Sequence, residues 1–158
     1  MLCLCLFVFN GYIHTDWNVG NSPSLEEVMK IFIASEAIFN KEAREVQSLL
    51  QYNGHECVMT TEIVIIEKIL DGDVGQSSEY IPHDFQTIQV CDVLLALNHT
   101  EHGIQGYIGG CIRARVLFAK MHHVPVRFLN NINPTEMVRN NLDVHTITLN
   151  GDASRIIV

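Results

Sequence analysis

Positive charge is scarce in this chain. Its 158 residues include 10 Lys and Arg against 18 Asp and Glu, which gives a formal net charge of -8 at pH 7. DNA, RNA and anionic membranes bind dense basic surfaces. We therefore predict no nucleic-acid and no membrane partner, although a small anionic ligand fits if the few cations gather at one site.

Long apolar runs are also missing, since none approaches the roughly 18 residues that a membrane helix requires. The composition, 47% hydrophobic and 18% charged, is typical of a globular protein. A chain of this length is most simply one domain that buries about 70% of its unfolded surface. We expect a cytoplasmic protein.

Metal and disulfide signals are weak. The odd number of cysteines, mostly within apolar runs, favours reduced thiols in a reducing compartment over a disulfide framework. Two close histidine pairs, His99 with His102 and His122 with His123, have no CxxC or HExxH motif beside them. The sequence predicts no metal and no cofactor.

The first 28 residues form a separate unit in our prediction. "MLCLCLFVF" is interpreted as a buried strand, because it lacks the basic n-region and cleavage site of a signal peptide. The alternative is a targeting or mis-started segment, since Met29 precedes what looks like a domain's beginning. Residues 1–28 are thus predicted as an N-terminal strand or extension, and residues 29–158 as a single domain.

Hydrophobic spacing predicts a β-α-β unit after Met29. Residues 30–34 are a short apolar run, apolar residues recur at helical spacing from Asn40, a candidate N-cap, and "YNG" supplies a glycine C-cap before the strand "HECVMT". Such a unit implies parallel strands. A competing interpretation starts from the capping-box spacing of Ser24 and Glu27 and runs a helix through 30–34.

Further units repeat this alternation. "IPHDFQTIQ" predicts a short helix with Phe85, Ile88 and Val90 on its inner face, followed by the buried strand "CDVLLALN". "VPVRFLN" is another strand, and the tail supplies a helix and a final short strand. The fold class is therefore α/β, a doubly wound, Rossmann-like three-layer sandwich around a parallel sheet.

Ligand groups in such folds gather at the carboxyl ends of the strands. The candidates there are Ser35, Glu36 and Phe39 after the first strand, and Asn98 after the central one. Asp84 could accept hydrogen bonds from both hydroxyls of a ribose. Ordinary loop and solvated-helix roles are the alternatives for these residues.

A glycine-rich turn precedes the next helix. Gly103, Gly106, Gly109 and Gly110 permit close backbone approach, and a helix N-terminus attracts anions. Arg113 and Arg115 follow on that helix, so the turn and the arginines together predict a phosphate site. The alternative is that both arginines point to solvent or pair with a neighbouring Asp or Glu.

Three blocks, "KIFIASEAIFNKEAREVQSLLQYNGHECV", "HDFQTIQVCDVLLAL" and "RARVLFAKMHHVPV", together resemble the nucleoside 2-deoxyribosyltransferases and the related deoxynucleotide N-hydrolases. The resemblance covers roughly residues 29–148 and places Asp84 and Asp92 at the family's two aspartates. It implies a doubly wound homo-oligomer, a dimer or larger, that binds a nucleoside or nucleotide.

The resemblance breaks at the catalytic position. The transferring enzymes of that family attack the sugar with a glutamate early in the helix, but the matching position here is Arg115, or Ala114 with a one-residue slip. Neither side chain can attack an anomeric carbon, because that step requires a carboxylate. Glu101 is the nearest replacement.

We therefore predict non-catalytic binding or sequestration of a nucleotide or nucleoside-derived molecule, as in a sensor or a phage anti-defence sponge. One alternative is a deoxyribosyltransferase or N-glycosidase with Glu101 as the catalytic residue. A second alternative is an assembly protein with a vestigial pocket.

Overall fold

Short parallel strands alternate with helices throughout the computed structural model, which describes residues 28–61, 80–143 and 146–157. The strands are β1 (Lys30–Ala34), β2 (Glu56–Met59), β3 (Val93–Ala96), β4 (Val126–Phe128) and β5 (Ile147–Thr148). The helices are α1 (Asn40–Tyr52), α2 (Tyr80–Gln89), α3 (Gly110–Met121) and α4 (Pro134–Arg139). Two 3-10 turns, Ala37–Phe39 and Ala153–Ile157, complete the elements of these ranges.

The five strands form one parallel sheet in the order β2-β1-β3-β4-β5. β1 therefore has β2 on one side and β3 on the other, and the connections wind in opposite directions from it. Helices consequently cover both faces of the sheet. The predicted α/β, Rossmann-like three-layer fold is confirmed.

Successive strand residues supply two separate cores, because side chains alternate between the faces of a strand. Ile31 and Ile33 pack with Leu50 of α1 and with the C-terminal 3-10 turn. Phe32 and Ala34 pack on the opposite face against α2 and α3. Strands buried on both faces must be apolar at every buried position, which is why "IFIA" (residues 31–34) and "VLLA" are continuous apolar runs.

The predicted β-α-β unit is present, with one shift at the start of its helix. The competing through-running helix is wrong for residues 30–34, which pair with both β2 and β3. α1 has Phe39 as its N-cap rather than Asn40, because the 3-10 turn continues directly into the helix. At the other end Gly54 has φ of 93°, the left-handed conformation that glycine adopts at helix ends.

Burial bears on two other predictions, although Cys3 and Cys5 lie outside the described residues. Ile88 of α2 is fully buried on the inner face of the helix. Val90 is 64% exposed and does not belong to this face, because the helix ends at Gln89. Cys57, Cys91 and Cys111 form no disulfide, and burial raises the pKa of Cys57 and of Cys91 to about 11.

The predicted N-terminal strand lies outside the described residues. Within the ranges that are described, the helices are too short or too polar to cross a membrane.

Candidate functional site

The candidate site lies at the carboxyl edge of the sheet, between β1 and β3. This is the point where the strand order reverses, and open α/β sheets bind ligands in the crevice that such a reversal creates. Ser35 and Glu36 leave β1 here, and Asn98 and His99 leave β3 beside them. The start of α3 closes the crevice, because backbone N–H groups of α3 bond to Glu36.

Glu36 occupies the N-terminus of α3. Its Oε1 accepts hydrogen bonds from the backbone N–H groups of Cys111 at 3.2 Å and Ile112 at 3.3 Å. A Cβ at Gly109 would lie 2.2 Å from the same oxygen, so only glycine leaves room for the carboxylate there. The φ of Gly109 is an ordinary -68°, which means that glycine serves close approach rather than an unusual backbone. Glu36 thus fills the position in which a helix binds an external anion.

Glu101 is a second carboxylate near Glu36. Burial raises the pKa of Glu36, and the negative charge of Glu101 raises it further, while the bonds from Ile112 and Cys111 and the charge of Arg115 oppose the rise. Glu101 is held in a tight turn, since its backbone N–H and C=O both bond to Ile104. Its carboxylate also lies 3.4 Å from Nε2 of His102. The crevice therefore contains two acids whose charges interact unfavourably.

Arg115 and Asp84 form a buried ion pair between α3 and α2. Nε and Nη2 of Arg115 lie 2.9 and 2.5 Å from Oδ2 of Asp84, and the two side chains are 3% and 1% exposed. Thr61 completes the carboxylate's bonds through its hydroxyl and its backbone N–H. Arg115 thus pairs with a neighbouring Asp, and Arg113 is exposed. Arg115 thus adopts the alternative to phosphate binding that the sequence leaves open, whereas the exposure of Arg113 fits either interpretation.

Asn98 joins the ends of β3 and β4. Its amide donates to the backbone oxygen of Asn130 at 2.9 Å and accepts the Asn130 N–H at 2.8 Å, and the Asn130 amide donates back to the Asn98 carbonyl at 3.1 Å. Ser35 is equally committed, because its N–H donates to Thr60 and its hydroxyl donates to the Glu36 carbonyl. The hydrogen bonds of Ser35 and Asn98 therefore hold the chain in place where it leaves β1 and β3, at the edge of the crevice.

The glycine-rich turn has two left-handed positions, Gly103 with φ of 74° and Gly106 with φ of 66°. A Cβ at Gly106 would lie 2.1 Å from the Asn131 carbonyl oxygen, so this glycine lets the turn pack against the chain that follows β4. Gly110, the first residue of α3, has open space at its Cβ position. Gly106 and Gly109 thus serve packing within the protein, while the side of Gly110 is accessible.

The sequence places His99 at the carboxyl end of the central strand, where ligands gather, but it does not predict the contact that this side chain makes. Its ring lies 4.7 Å, centre to centre, from the ring of Phe39. Burial lowers the pKa of His99 against the opposing charge of Glu42, and its Nε2 is buried without a hydrogen-bond partner among the described residues. The signal is tertiary, since nothing in the sequence predicts that Phe39 and His99 meet.

His99 also lines a cavity of about 290 Å³ beside the crevice. The cavity lies between α1 and the C-terminal 3-10 turn, and its rim carries Glu42, Glu45 and Asp152. Bonds from Ser154 to its carboxylate lower the pKa of Asp152. The volume approaches the lower limit of typical small-molecule pockets.

No model of a known protein family matches the chain, and no curated protein matches it either. Within the described ranges, no group of three or more His, Cys, Asp or Glu side chains could hold a metal ion. The arrangement offers carboxylate oxygens as hydrogen-bond acceptors, two aromatic rings and one exposed guanidinium. Such groups suit a ligand with hydroxyl groups and a flat ring.

Proposed function

We propose that this protein binds a nucleotide or another nucleoside-derived small molecule in the crevice between β1 and β3 and releases it unchanged. The reversal of strand order supports the location. The residues around it support the ligand class, because acids, aromatic rings and an exposed cation match hydroxyls, a base and a phosphate.

The buried Arg115–Asp84 pair carries the proposal that no turnover occurs. The resemblance places the enzymes' glutamate nucleophile at Arg115, or at Ala114 with a one-residue slip, and Arg115 is bonded to Asp84 in the interior. A guanidinium that is always protonated has no lone pair with which to attack a sugar carbon. Asp84 is likewise engaged, so we assign this pair to positioning α3 against α2.

The ligand contacts follow from what remains accessible. Glu36 and Glu101 accept hydrogen bonds from sugar hydroxyls, and Phe39 and His99 stack on the base. Arg113, exposed on the first turns of α3, is the cation available to a phosphate. Ser35 and Asn98 shape the crevice around these groups, together with Gly103, Gly106 and Gly109 of the turn.

The same proposal covers the location, the oligomeric state and the biological role of the protein. We propose a cytoplasmic homo-oligomer that acts as a sensor or as a sponge for a nucleotide signal, such as those used in anti-phage defence. Light scattering of the purified protein tests the oligomer directly, and a monomeric mass at all concentrations would contradict it.

The function is tested by incubating the purified protein with nucleosides, deoxynucleotides and cyclic ADP-ribose-type signals, followed by chromatography. A bound ligand should disappear from solution and return intact after heat denaturation. Release of free base would overturn the binding-only proposal. The absence of a thermal shift with every compound would favour an assembly protein with a vestigial pocket.

A second candidate function is an N-glycosidase or deoxyribosyltransferase, and the interaction of Glu36 with Glu101 favours it. Burial and the negative charge of Glu101 raise the pKa of Glu36, and a raised pKa suits the carboxyl that gives up a proton in glycosyl cleavage, which uses two carboxyls. Glu101 would attack the anomeric carbon while Glu36 protonates the departing base, and water or a second base would then release the sugar from Glu101. Loss of free-base release in Glu101→Gln, with folding retained, would support this function.

A further inference from the structure

The Glu36 carboxylate competes with any external anion for the backbone N–H groups at the start of α3. Its Oε1 already accepts the N–H groups of Cys111 and Ile112, which are the groups that a bound phosphate would use. α3 has 12 residues, so its dipole at this end is fully developed. A phosphate can reach these donors only if the carboxylate leaves.

The surrounding charges strengthen this competition. Glu101 adds a second negative charge beside Glu36. Arg113 and Arg115 are the two cations nearest to the start of α3 in sequence. The guanidinium of Arg115 is bonded to Asp84. Glu36 and Glu101 therefore oppose a phosphate at the first N–H groups of α3, and the exposed Arg113 is available to a phosphate that lies away from these groups.

The packing around Gly109 indicates that the carboxylate belongs there in the folded protein. A Cβ at this position would meet the Oε1, Cδ and Cγ atoms of Glu36 at 2.2, 2.7 and 3.2 Å. These three nearest atoms all belong to Glu36, and the backbone angle is one that any residue adopts, so the glycine accommodates the Glu36 side chain in this position. The neighbouring Gly110 has nothing within 4 Å of its Cβ position and so offers a matched control.

We propose that Glu36 is a specificity-determining residue that excludes phosphate from the start of α3, so that the crevice prefers nucleosides, or nucleotides whose phosphate points elsewhere. This inference rests on the proposed function for its ligand class. It narrows that class to molecules that present hydroxyl groups, and not a phosphate, to the two carboxylates.

The test uses inorganic phosphate as its probe, titrated at constant ionic strength and followed by phosphorus NMR and calorimetry. The unmodified protein should bind phosphate only weakly. Glu36→Ala should bind it at least about tenfold more tightly, a change equivalent to roughly 1.4 kcal/mol, because the competing acceptor is gone.

Gly109→Ala tests the same idea without removing a charge. The added methyl group should push the Glu36 carboxylate off the helix start, so phosphate affinity should rise here as well. Gly110→Ala adds the same methyl group one residue later, where space is open, and should behave like the unmodified protein. Circular dichroism and thermal melting check that each variant is folded.

Equal phosphate affinity in the unmodified protein, Glu36→Ala and Gly109→Ala would overturn the inference. A parallel titration with nucleosides and their 5′-monophosphates then tests the ligand class. The unmodified protein should prefer the nucleoside, and Glu36→Ala should reduce or reverse that preference. If no variant binds any nucleoside or nucleotide, the proposed function fails, while the phosphate result still decides the role of Glu36.

Discussion

Two carboxylates at the same edge of the sheet have opposite environments. Asp84 is almost completely buried, bonded to Arg115 and Thr61, and has no access to a ligand. Glu36 is half-buried, its carboxylate accepts hydrogen bonds from two backbone N–H groups, and it lies near the negative charge of Glu101. The negative charge of Asp84 is balanced by Arg115 within the protein, whereas the carboxylate of Glu36 is stabilised only partly.

This difference shows where binding is possible. A buried, fully bonded ion pair contributes to the arrangement of α2 and α3, and a ligand would have to break it to gain anything from it. A half-buried acid with an unfavourable neighbour can gain a hydrogen bond from a ligand hydroxyl at lower cost. We therefore propose the ligand-facing role for Glu36 rather than for Asp84.

The largest expected effect comes from opening the buried pair. Arg115→Met should lower the free energy of unfolding by about 3–5 kcal/mol, because Asp84 is left as an unpaired buried charge. Urea denaturation measures it. Arg113→Met, on the exposed side of the same helix, should change stability by less than about 0.5 kcal/mol. Similar losses in the two variants would contradict the comparison.

A smaller loss is expected at the strand ends, where Asn98 is as fully bonded as Asp84. Asn98→Ala should cost about 1–3 kcal/mol, because the Asn130 N–H and C=O lose their partners. The measurement is again urea denaturation. The exposed Asn53→Ala serves as control, and equal stability of both variants would show that the amide bonds at this edge are dispensable.

Glu36→Gln should raise the free energy of unfolding at neutral pH, whereas the two substitutions above lower it. The folded protein raises the pKa of Glu36 above its ordinary value of 4.5, so its contribution to stability is present below that value and is lost as pH rises through the folded-state pKa. Gln behaves like the protonated acid. The variant should match the unmodified protein at pH 4 and exceed it at pH 7, by less than about 1 kcal/mol, the size of charge effects at helix ends. Thermal melts at both pH values decide it, and a loss of stability at pH 7 would contradict it.

The smallest effect is expected from the neighbour of Glu36. Glu101→Gln should lower the pKa of the Glu36 carboxyl, because it removes a negative charge that raises it. Carbon-13 NMR titration of the glutamate carboxyls measures the shift. An unchanged Glu36 titration would show that the two acids do not interact.

The sheet was largely predictable from sequence. Short apolar runs such as "KIFIA" and "VLLA", separated by helical spacing, indicate parallel strands covered on both faces, and the structure has them. The small errors lie at helix ends. Residue type favours Asn40 as the N-cap, but the preceding 3-10 turn makes Phe39 the N-cap.

The pairing of side chains at the site was less predictable. Sequence spacing places Asp84 and Arg115 on two helices, but it does not show that the two residues meet in the interior. The contact of Phe39 with His99 and the seat of Glu36 on α3 join segments that are distant in the chain.

Hydrophobic periodicity thus determined the fold class, because burial requires local patterns of apolar residues that can be counted in the sequence. The fold class in turn indicates the edge of the sheet at which ligands bind in such folds. Only the tertiary structure decided which charged groups stay accessible. Whether an arginine binds phosphate or an internal aspartate depends on which side chains are brought within about 3 Å, and that distance is set by how the helices pack on the sheet.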